Sequence, residues 1–179
     1  MFRCVNIINY LIFEAKMSLE VFEKIKQLLD TNKAIYKILE HEPTPTSEKA
    51  AEVRERLAGI PKEQALKQGA KAMILRSHGK FYQFVLSAEK KIDFNKAKKL
   101  LNTDSVSLAT PEQVQEITDC VPGAVPPFGN LFNIQVYVDK SLLQYDDIDF
   151  NAGEQTISIF MKKNDWVKIV KPTEVDFSK

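Results

Sequence analysis

The residues best suited to chemistry lie in a loop rich in glycine and proline between Cys120 and Leu131. Its sequence is Cys-Val-Pro-Gly-Ala-Val-Pro-Pro-Phe-Gly-Asn-Leu. Proline fixes φ and has no amide hydrogen, whereas glycine adopts backbone conformations that other residues avoid. A backbone held rigid in this way can present preformed amide groups to an oxyanion. The same composition is also typical of a stiff turn without a ligand, and the loop alone leaves both interpretations open.

A second candidate is Lys71, in an apolar run that reads as a strand. Alternation of side chains places Lys71 on the same face as Met73 and Leu75. The lysine could lie at the edge of the strand with its amine in water, or it could deliver its ammonium group into a cleft. A lysine attracts phosphate but is a poor general base at neutral pH unless it is desolvated. The alternation alone leaves both interpretations open, and in a cleft Lys71 would suit positioning of a ligand better than proton transfer.

Other catalytic chemistry has little support in the sequence. The chain has two cysteines and two histidines, which argues against a disulfide framework and a zinc site and fits a reducing cytoplasm. We expect no metal and no cofactor. Cys120 and His41 could form a nucleophile pair, but they are far apart in sequence, and we predict a packed thiol for Cys120. The sequence contains no G-x-S-x-G, H-E-x-x-H, C-x-x-C or P-loop motif.

Charge and length predict one domain with at most a local basic patch. The chain has 179 residues, 44% of them hydrophobic, and a formal net charge of +1, so binding of nucleic acid would need a cluster of lysines. Such a cluster occurs within ten residues, interrupted by Asp93 alone among acids. It is either a solvated helix face or a patch that binds nucleic acid. Its members are Lys90, Lys91, Lys96, Lys98 and Lys99.

Residues 1–16 differ from the rest of the chain and are treated as a leader of doubtful status. Their apolar run is too short to cross a bilayer and lacks the small-residue cleavage site of a secretory signal. Met17 is a candidate alternative start, with Ser18 as a helix cap. We expect residues 17–179 to form the single domain, with no membrane partner.

Hydrophobic periodicity then predicts the elements that position these residues. Helices and strands interleave with at least one hairpin, whose turn is His78-Gly79. This order indicates an α+β or mixed-sheet α/β domain, not a doubly wound dinucleotide fold. The predicted helices are 19–31, 47–57, 61–67, 94–101, one starting at Thr110, and 165–170 as a helix or turn. The predicted strands are 34–40, 70–77, 80–87, 106–108, 134–139 and 156–161.

Taken in order, five short motifs resemble the YbaK/prolyl-tRNA synthetase-associated editing domain family over residues 41–170. No single motif is decisive, but their order and spacing are specific. The motifs are His41 with Thr46, the run Gly-Ala-Lys-Ala-Met-Ile-Leu at 69–75, Gly123-x-x-x-Pro127-Phe128-Gly129, Tyr137-Val138-Asp139 and Asn151-Ala152-Gly153.

The resemblance implies a single editing-like domain with a central mixed, largely antiparallel sheet flanked by helices. It also implies an aminoacyl-tRNA deacylase that hydrolyses the ester bond of mischarged tRNA in trans. Lys71 would hold the terminal adenosine and its neighbouring phosphate, while Gly123 and Ala124 would hold the reacting carbonyl and water through backbone groups. The residues expected to contact substrate are His41, Thr46 at the pocket mouth, Val125, Pro127, Phe128, Gly129 and Asp139, the last bearing on amino-acid preference.

The chemistry of ester hydrolysis agrees with these roles. Because proline cannot donate, the amides available to an oxyanion would be those of 123–125 and 128–130. No side chain is placed as an obvious base, so the ribose hydroxyl of the substrate would activate the water. A synthetase pocket separates similar amino acids by only about 10- to 200-fold, which is why a second hydrolytic step is needed.

The substrate and the partners are less defined by the sequence. Alanine, serine, cysteine and threonine are all candidate amino acids, on tRNA-Pro or a related tRNA, and an acidic Asp139 favours serine or alanine. An aminoacyl-tRNA synthetase or an elongation factor is a candidate partner besides mischarged tRNA. Two alternatives stay open: a non-catalytic tRNA-binding module with the same fold, and an enzyme acting on another small ester or nucleotide.

Overall fold

The computed structural model describes residues 19–179. The leader 1–16, the candidate start at Met17 and the candidate cap Ser18 lie outside the described residues. Within the described part no helix is long and apolar enough to cross a membrane.

Six helices surround the sheets in the described part of the chain. Helix α1 covers residues 19–31 and buries Val21, Phe22, Ile25 and Leu29, whereas Leu19 is half exposed. Helix α5 (Pro111–Thr118) begins as predicted, with Thr110 and Gln113 forming a capping box around Pro111. The other helices are α2 (Ser47–Ala58), α3 (Lys62–Gln68), α4 (Phe94–Leu100) and α6 (Lys163–Val170).

The strands form two sheets instead of one. The strands are β1 (Tyr36–Glu40), β2 (Ala70–Ser77), β3 (Lys80–Ser87), β4 (Ser107–Leu108), β5 (Gln135–Asp139), β6 (Asp147–Asn151), β7 (Ile157–Lys162) and β8 (Thr173–Val175). The larger sheet has the order β4-β2-β3-β5-β8, with antiparallel pairs around β2 and parallel pairs around β5. The smaller sheet is antiparallel, with the order β1-β7-β6.

The two sheets meet at the start of β2, where Gly69 and Asp149 form a parallel bridge. Adding a Cβ to Gly69 would place it 2.8 Å from the Ala65 carbonyl and 3.1 Å from the Ala88 side chain, so the close approach needs glycine here. The α+β class and the largely antiparallel pairing are confirmed. The junction at Gly69 also brings β6 beside the edge of β2.

The larger sheet separates two hydrophobic clusters. Ala70, Ile74 and the neighbouring strands' Val85 and Val136 pack into the main core with α1, α5, α6 and the smaller sheet. The opposite face packs into a smaller cluster that includes Leu75. The alternation predicted for β2 is therefore confirmed, and both faces of this sheet are covered.

Asp139 anchors the C-terminal segment to the end of β5. The side chain is 2% exposed and accepts hydrogen bonds from the Ser141 amide, the Phe177 and Ser178 amides and the Ser178 hydroxyl, at 2.7–2.9 Å. Burial raises the pKa of this carboxyl, but the hydrogen bonds outweigh burial and the net pKa is below its ordinary value. All four donors belong to the protein itself, and the expected influence of Asp139 on amino-acid preference stays a prediction.

We predict that Asp139→Asn destabilises the fold by about 2 kcal/mol at neutral pH, because an amide cannot accept four hydrogen bonds. Since the folded pKa of Asp139 is lowered, its stabilisation is present above the unfolded pKa of about 3.9 and is lost as pH falls through the folded pKa. Urea unfolding between neutral and acid pH should therefore show that the free energy of unfolding of the variant falls less with decreasing pH than that of the unsubstituted protein.

The matched control is Asp104→Asn, because the Asp104 side chain is 96% exposed. This control should leave stability unchanged within about 0.5 kcal/mol. Equal stability of the two variants at neutral pH would contradict the anchoring role of Asp139.

Candidate functional site

A cavity of about 380 Å³ opens where the two sheets meet. Its walls are the edge of β2, the N-terminus of α2 with the preceding loop, β6 and the glycine-proline loop. At the far end β4 and the start of α5 close it with apolar side chains, among them Leu108 and Val114. The cavity brings together four of the predicted site residues: Thr46, Lys71, Gly123 and Val125.

The glycine-proline loop presents Gly123 to this cavity in a conformation that favours glycine. Gly123 has φ +87°, and a Cβ there would lie 3.0 Å from the Pro45 carbonyl oxygen. Two side chains hold the loop from behind: Asn151 Nδ2 donates to the Gly123 carbonyl, and Gln155 Nε2 donates to the Pro122 carbonyl, both at 2.9 Å. The loop is therefore fixed by contacts to its carbonyl groups, which leaves amide groups for other partners.

The amide groups of the loop divide into two sets. Ala124 donates to the Val121 carbonyl, Phe128 to the Pro126 carbonyl, and Gly129 to Gln83 Oε1, at 2.8–3.0 Å. These three expected donors are already used inside the protein. The amides of Gly123 and Val125 have no hydrogen-bond partner among the described residues, and both residues line the cavity.

The second half of the loop is structural and lies away from the cavity. Phe128 is fully buried and packs edge-on against Phe150, with ring centroids 5.4 Å apart. The Pro127 carbonyl accepts a 2.8 Å hydrogen bond from Trp166 Nε1, and a Cβ on Gly129 would clash with Val136 at 2.7 Å. Ala124, Pro127, Phe128 and Gly129 therefore support the loop, and the structure does not bring them to the cavity surface.

Lys71 lines the cavity near the junction of the sheets. Its amine donates to the carbonyls of Ala88 and Lys90. Burial lowers the pKa of the Lys71 ammonium from its ordinary value, with Glu48 opposing the effect and Lys91 adding to it. An ammonium group has three donors. Two are held by backbone carbonyls, so one remains for an anionic ligand.

Thr46 and His41 differ in their position relative to the cavity. Thr46 is the N-cap of α2, accepting from the Lys49 amide at 3.2 Å, and it lines the cavity. His41 lies behind the cavity, with Nε2 2.8 Å from the Ser158 hydroxyl. Burial is the main cause of the lowered pKa of the His41 imidazole. His41 therefore belongs to a supporting network and does not line the cavity.

The polar floor of the cavity was missed by the sequence analysis. Arg54 and Asp149 form a buried ion pair, with Nη1 and Oδ1 2.5 Å apart, and Gln68 Nε2 donates to the other carboxylate oxygen at 2.9 Å. Burial raises the pKa of the Asp149 carboxyl, although Arg54 and Gln68 oppose the shift. Asn151 accepts from Arg54 and Ser158 at 3.2–3.4 Å. The position of Arg54 four residues after Ala50, on the inner face of α2, was the available signal.

The lysine cluster borders the Lys71 end of the cavity but is not one uniform face. Lys96 is committed to the C-terminal segment, through Asp176 at 2.6 Å and the Ser178 carbonyl at 2.9 Å. The Lys91 backbone pairs with Lys179 in both directions. Lys90 contributes its carbonyl to the Lys71 amine, while Lys98 and Lys99 lie in the last turn of α4.

Two other expectations concern cysteine and metal. Cys120 is buried, and burial raises the pKa of its thiol to about 12. A thiol in this environment is not a nucleophile, so the expected packed thiol is confirmed. Within residues 19–179, no group of three or more histidine, cysteine, aspartate and glutamate side chains could hold a metal ion.

Comparisons with known proteins identify relatives of this chain. The sequence profile described as "Aminoacyl-tRNA editing domain" matches residues 41–169. The "Multifunctional Ser/Thr-tRNA deacylase ProXp-y" of Escherichia coli (strain K12) is 30% identical over 160 residues, covering 87% of this chain and 91% of the relative. The "Prolyl-tRNA editing protein ProX" of Acetoanaerobium sticklandii is 26% identical over 160 residues, covering 87% and 93%.

A solved structure supports the fold. The crystal structure of a proposed trans-editing enzyme for prolyl tRNA synthetase superposes with a TM-score of 0.73 at 22% identity, over 89% of this chain and 97% of that one. The resemblance derived from the five motifs is confirmed. The chain therefore belongs to the aminoacyl-tRNA editing domain family, a class of hydrolases that act on ester bonds.

Proposed function

We propose that this chain removes serine or threonine from mischarged tRNA, acting in trans. The observation that carries the proposal is the pair of unpartnered amides, Gly123 and Val125, in a cavity that also contains Lys71. The relative named a Ser/Thr-tRNA deacylase supports the amino-acid class. Hydroxyl-bearing side chains also suit the polar floor, since Thr44, Arg54 and Asn151 line the same cavity.

The loop stabilises the charge that develops during hydrolysis. When water attacks the ester carbonyl, its oxygen becomes an oxyanion, and the Gly123 and Val125 amides donate to it. Because Asn151 and Gln155 already hold the loop carbonyls, these amides need no reorganisation during the reaction. Removing one such donor typically slows hydrolysis by about 100- to 1,000-fold.

Lys71 positions the acceptor end of the tRNA. Its third ammonium donor binds the phosphate next to the terminal adenosine, while Ala88 and Lys90 keep the amine in place. The lysines beyond Lys71 extend this positive charge along the tRNA backbone. In this arrangement Lys98 and Lys99 contact tRNA, whereas Lys96 holds the C-terminal segment.

Water is activated by the substrate. Among the described residues that line the cavity, the ionisable side chains are Arg54, Lys71 and Asp149. Asp149 is fully buried and paired with Arg54, so its carboxylate is not free to take a proton from water. The ribose hydroxyl next to the ester bond takes this role, and the protein supplies orientation and charge stabilisation.

The direct test is deacylation of a panel of aminoacyl-tRNAs by the purified chain. We expect release of serine and threonine from mischarged tRNA, slower release of alanine and cysteine, and no release of proline from correctly charged tRNA. Tight tRNA binding with no release from any member of the panel would contradict hydrolysis and favour the binding module.

Gly123→Ala should lower kcat/KM by about 100-fold, because its Cβ meets the Pro45 carbonyl and displaces the oxyanion donors. The matched control is Gly79→Ala in the hairpin turn. Gly79 has φ +76°, and a Cβ added there would have no atom within 4 Å, so both variants bear a similar backbone strain of about 1 kcal/mol. Equal activity of the two variants would contradict a catalytic role of the loop and leave it as a structural turn.

Lys71→Ala should lower kcat/KM by about 100-fold, equivalent to loss of a charged hydrogen bond of about 3 kcal/mol. Thermal melting should show that the fold persists, since Lys71 packs at the edge of the cavity. Lys80→Ala, at the other end of the same hairpin and exposed, serves as the control. Deacylation by Lys71→Ala at the rate of the Lys80 variant would exclude the positioning role.

A further inference from the structure

The edge of β2 that borders the cavity carries backbone groups without a partner. In a strand, the backbone N–H and C=O of alternate residues point to opposite sides. The Ile74 carbonyl accepts from the Ala109 amide at 2.9 Å, on the β4 side, whereas the Gly69 carbonyl accepts from the Ala88 amide, on the β3 side. Ala72, two residues before Ile74, therefore points its N–H and C=O to the β4 side.

No strand in the described chain reaches Ala72 on that side. Pairing with β4 begins only at Leu75, and the smaller sheet touches the β2 edge at Gly69 through its bridge to Asp149. On the β4 side, the N–H and C=O of Ala72 have no hydrogen-bond partner among the described residues. Ala72 is partly buried and lines the cavity. A donor and an acceptor thus face a ligand space, and partly buried backbone groups of this kind require a partner.

The two ends of this edge differ in chemistry. The end at Gly69 adjoins Arg54 and Asp149, and it is the polar end. The end at Ile74 adjoins apolar cavity residues: Leu108, Ala109, Pro111 and Val114. An ester with a polar amino acid suits the first end, and a flat heterocycle suits the second.

We propose that the Ala72 backbone binds the adenine base of the terminal nucleotide, an inference that rests on the proposed function. The Ala72 N–H donates to adenine N1, and the Ala72 C=O accepts from the adenine 6-amino group. The base lies between the apolar residues at the β4 end, while the ester lies beside Gly123. This edge therefore rejects hypoxanthine, in which N1 carries a hydrogen and the 6-position is a carbonyl, so that both hydrogen bonds are reversed.

The first test is a titration of the ¹⁵N-labelled protein with AMP, observed by NMR. We expect the Ala72 amide to show the largest shift, the Met73 amide, which faces β3, a smaller one, and the Lys80 amide none. IMP should bind about tenfold more weakly and should not shift Ala72. A shift of other cavity amides without Ala72, an equal response to IMP, or no response up to the solubility limit of AMP would each overturn the inference.

The second test separates the base of tRNA from free nucleotide. Misacylated tRNA that ends in inosine should show a KM about tenfold higher than tRNA that ends in adenosine, with kcat little changed. An unchanged KM would overturn recognition of the tRNA base even if AMP binds. Efficient deacylation by a protein whose Ala72 amide does not shift with AMP would contradict only this inference. An Ala72 amide that shifts with AMP in a protein without deacylase activity would contradict only the proposed function.

Discussion

The carboxamide of Asn151 joins three segments that are far apart in sequence. Its nitrogen donates to the Gly123 carbonyl at 2.9 Å and to the Thr44 carbonyl at 3.2 Å, and its oxygen accepts from Ser158 and Arg54. β6, the loop before α2 and the glycine-proline loop are thereby fixed relative to one another. The conformation of Gly123, at positive φ, persists because these surroundings determine it.

The Arg54–Asp149 ion pair extends this constraint to the floor of the cavity. Desolvation of two charges is expensive, and a buried ion pair is weak evidence of stabilisation compared with apolar packing. Its presence at the junction of the sheets is better explained by geometry, since it joins α2 to β6 next to the Gly69–Asp149 bridge. Loss of one partner would leave an isolated charge inside the protein, so the two residues act as a unit.

Local signals predicted the elements that depend on local chemistry. The hairpin of β2 and β3 was predicted with its observed bounds, because His78-Gly79 supplies two positive φ angles and the flanking residues alternate. β6 was missed because Asp147, Asp149 and Asn151 interrupt the hydrophobic pattern of a strand. Their polar groups are satisfied by partners distant in sequence, such as Arg54 and Thr44, and no local rule reveals such partners.

The same distinction explains the site residues. Glycine and proline indicated a rigid loop, and the structure has one. Which amides remain available depended on Gln83 and on turns inside the loop, so three of the predicted donors were already engaged. Asp139 was assigned to the substrate by its motif, yet the C-terminal segment that it binds, β8 and residues 176–178, was not predicted at all. A buried carboxylate can be interpreted only when its donors are known.

Both candidate recognition surfaces of the cavity are made of backbone. The Gly123 and Val125 amides lie in the loop, and the Ala72 groups lie on the open edge of β2. Backbone groups held by a sheet or by anchored carbonyls lose no rotamer entropy when a ligand binds, unlike long polar side chains. They also cannot be altered by most single substitutions. Side chains that line the cavity without anchoring the loop or the ion pair, such as Ser47 and Met73, can change more readily, so selection of the amino acid can vary while binding of the ester and the terminal nucleotide stays constant.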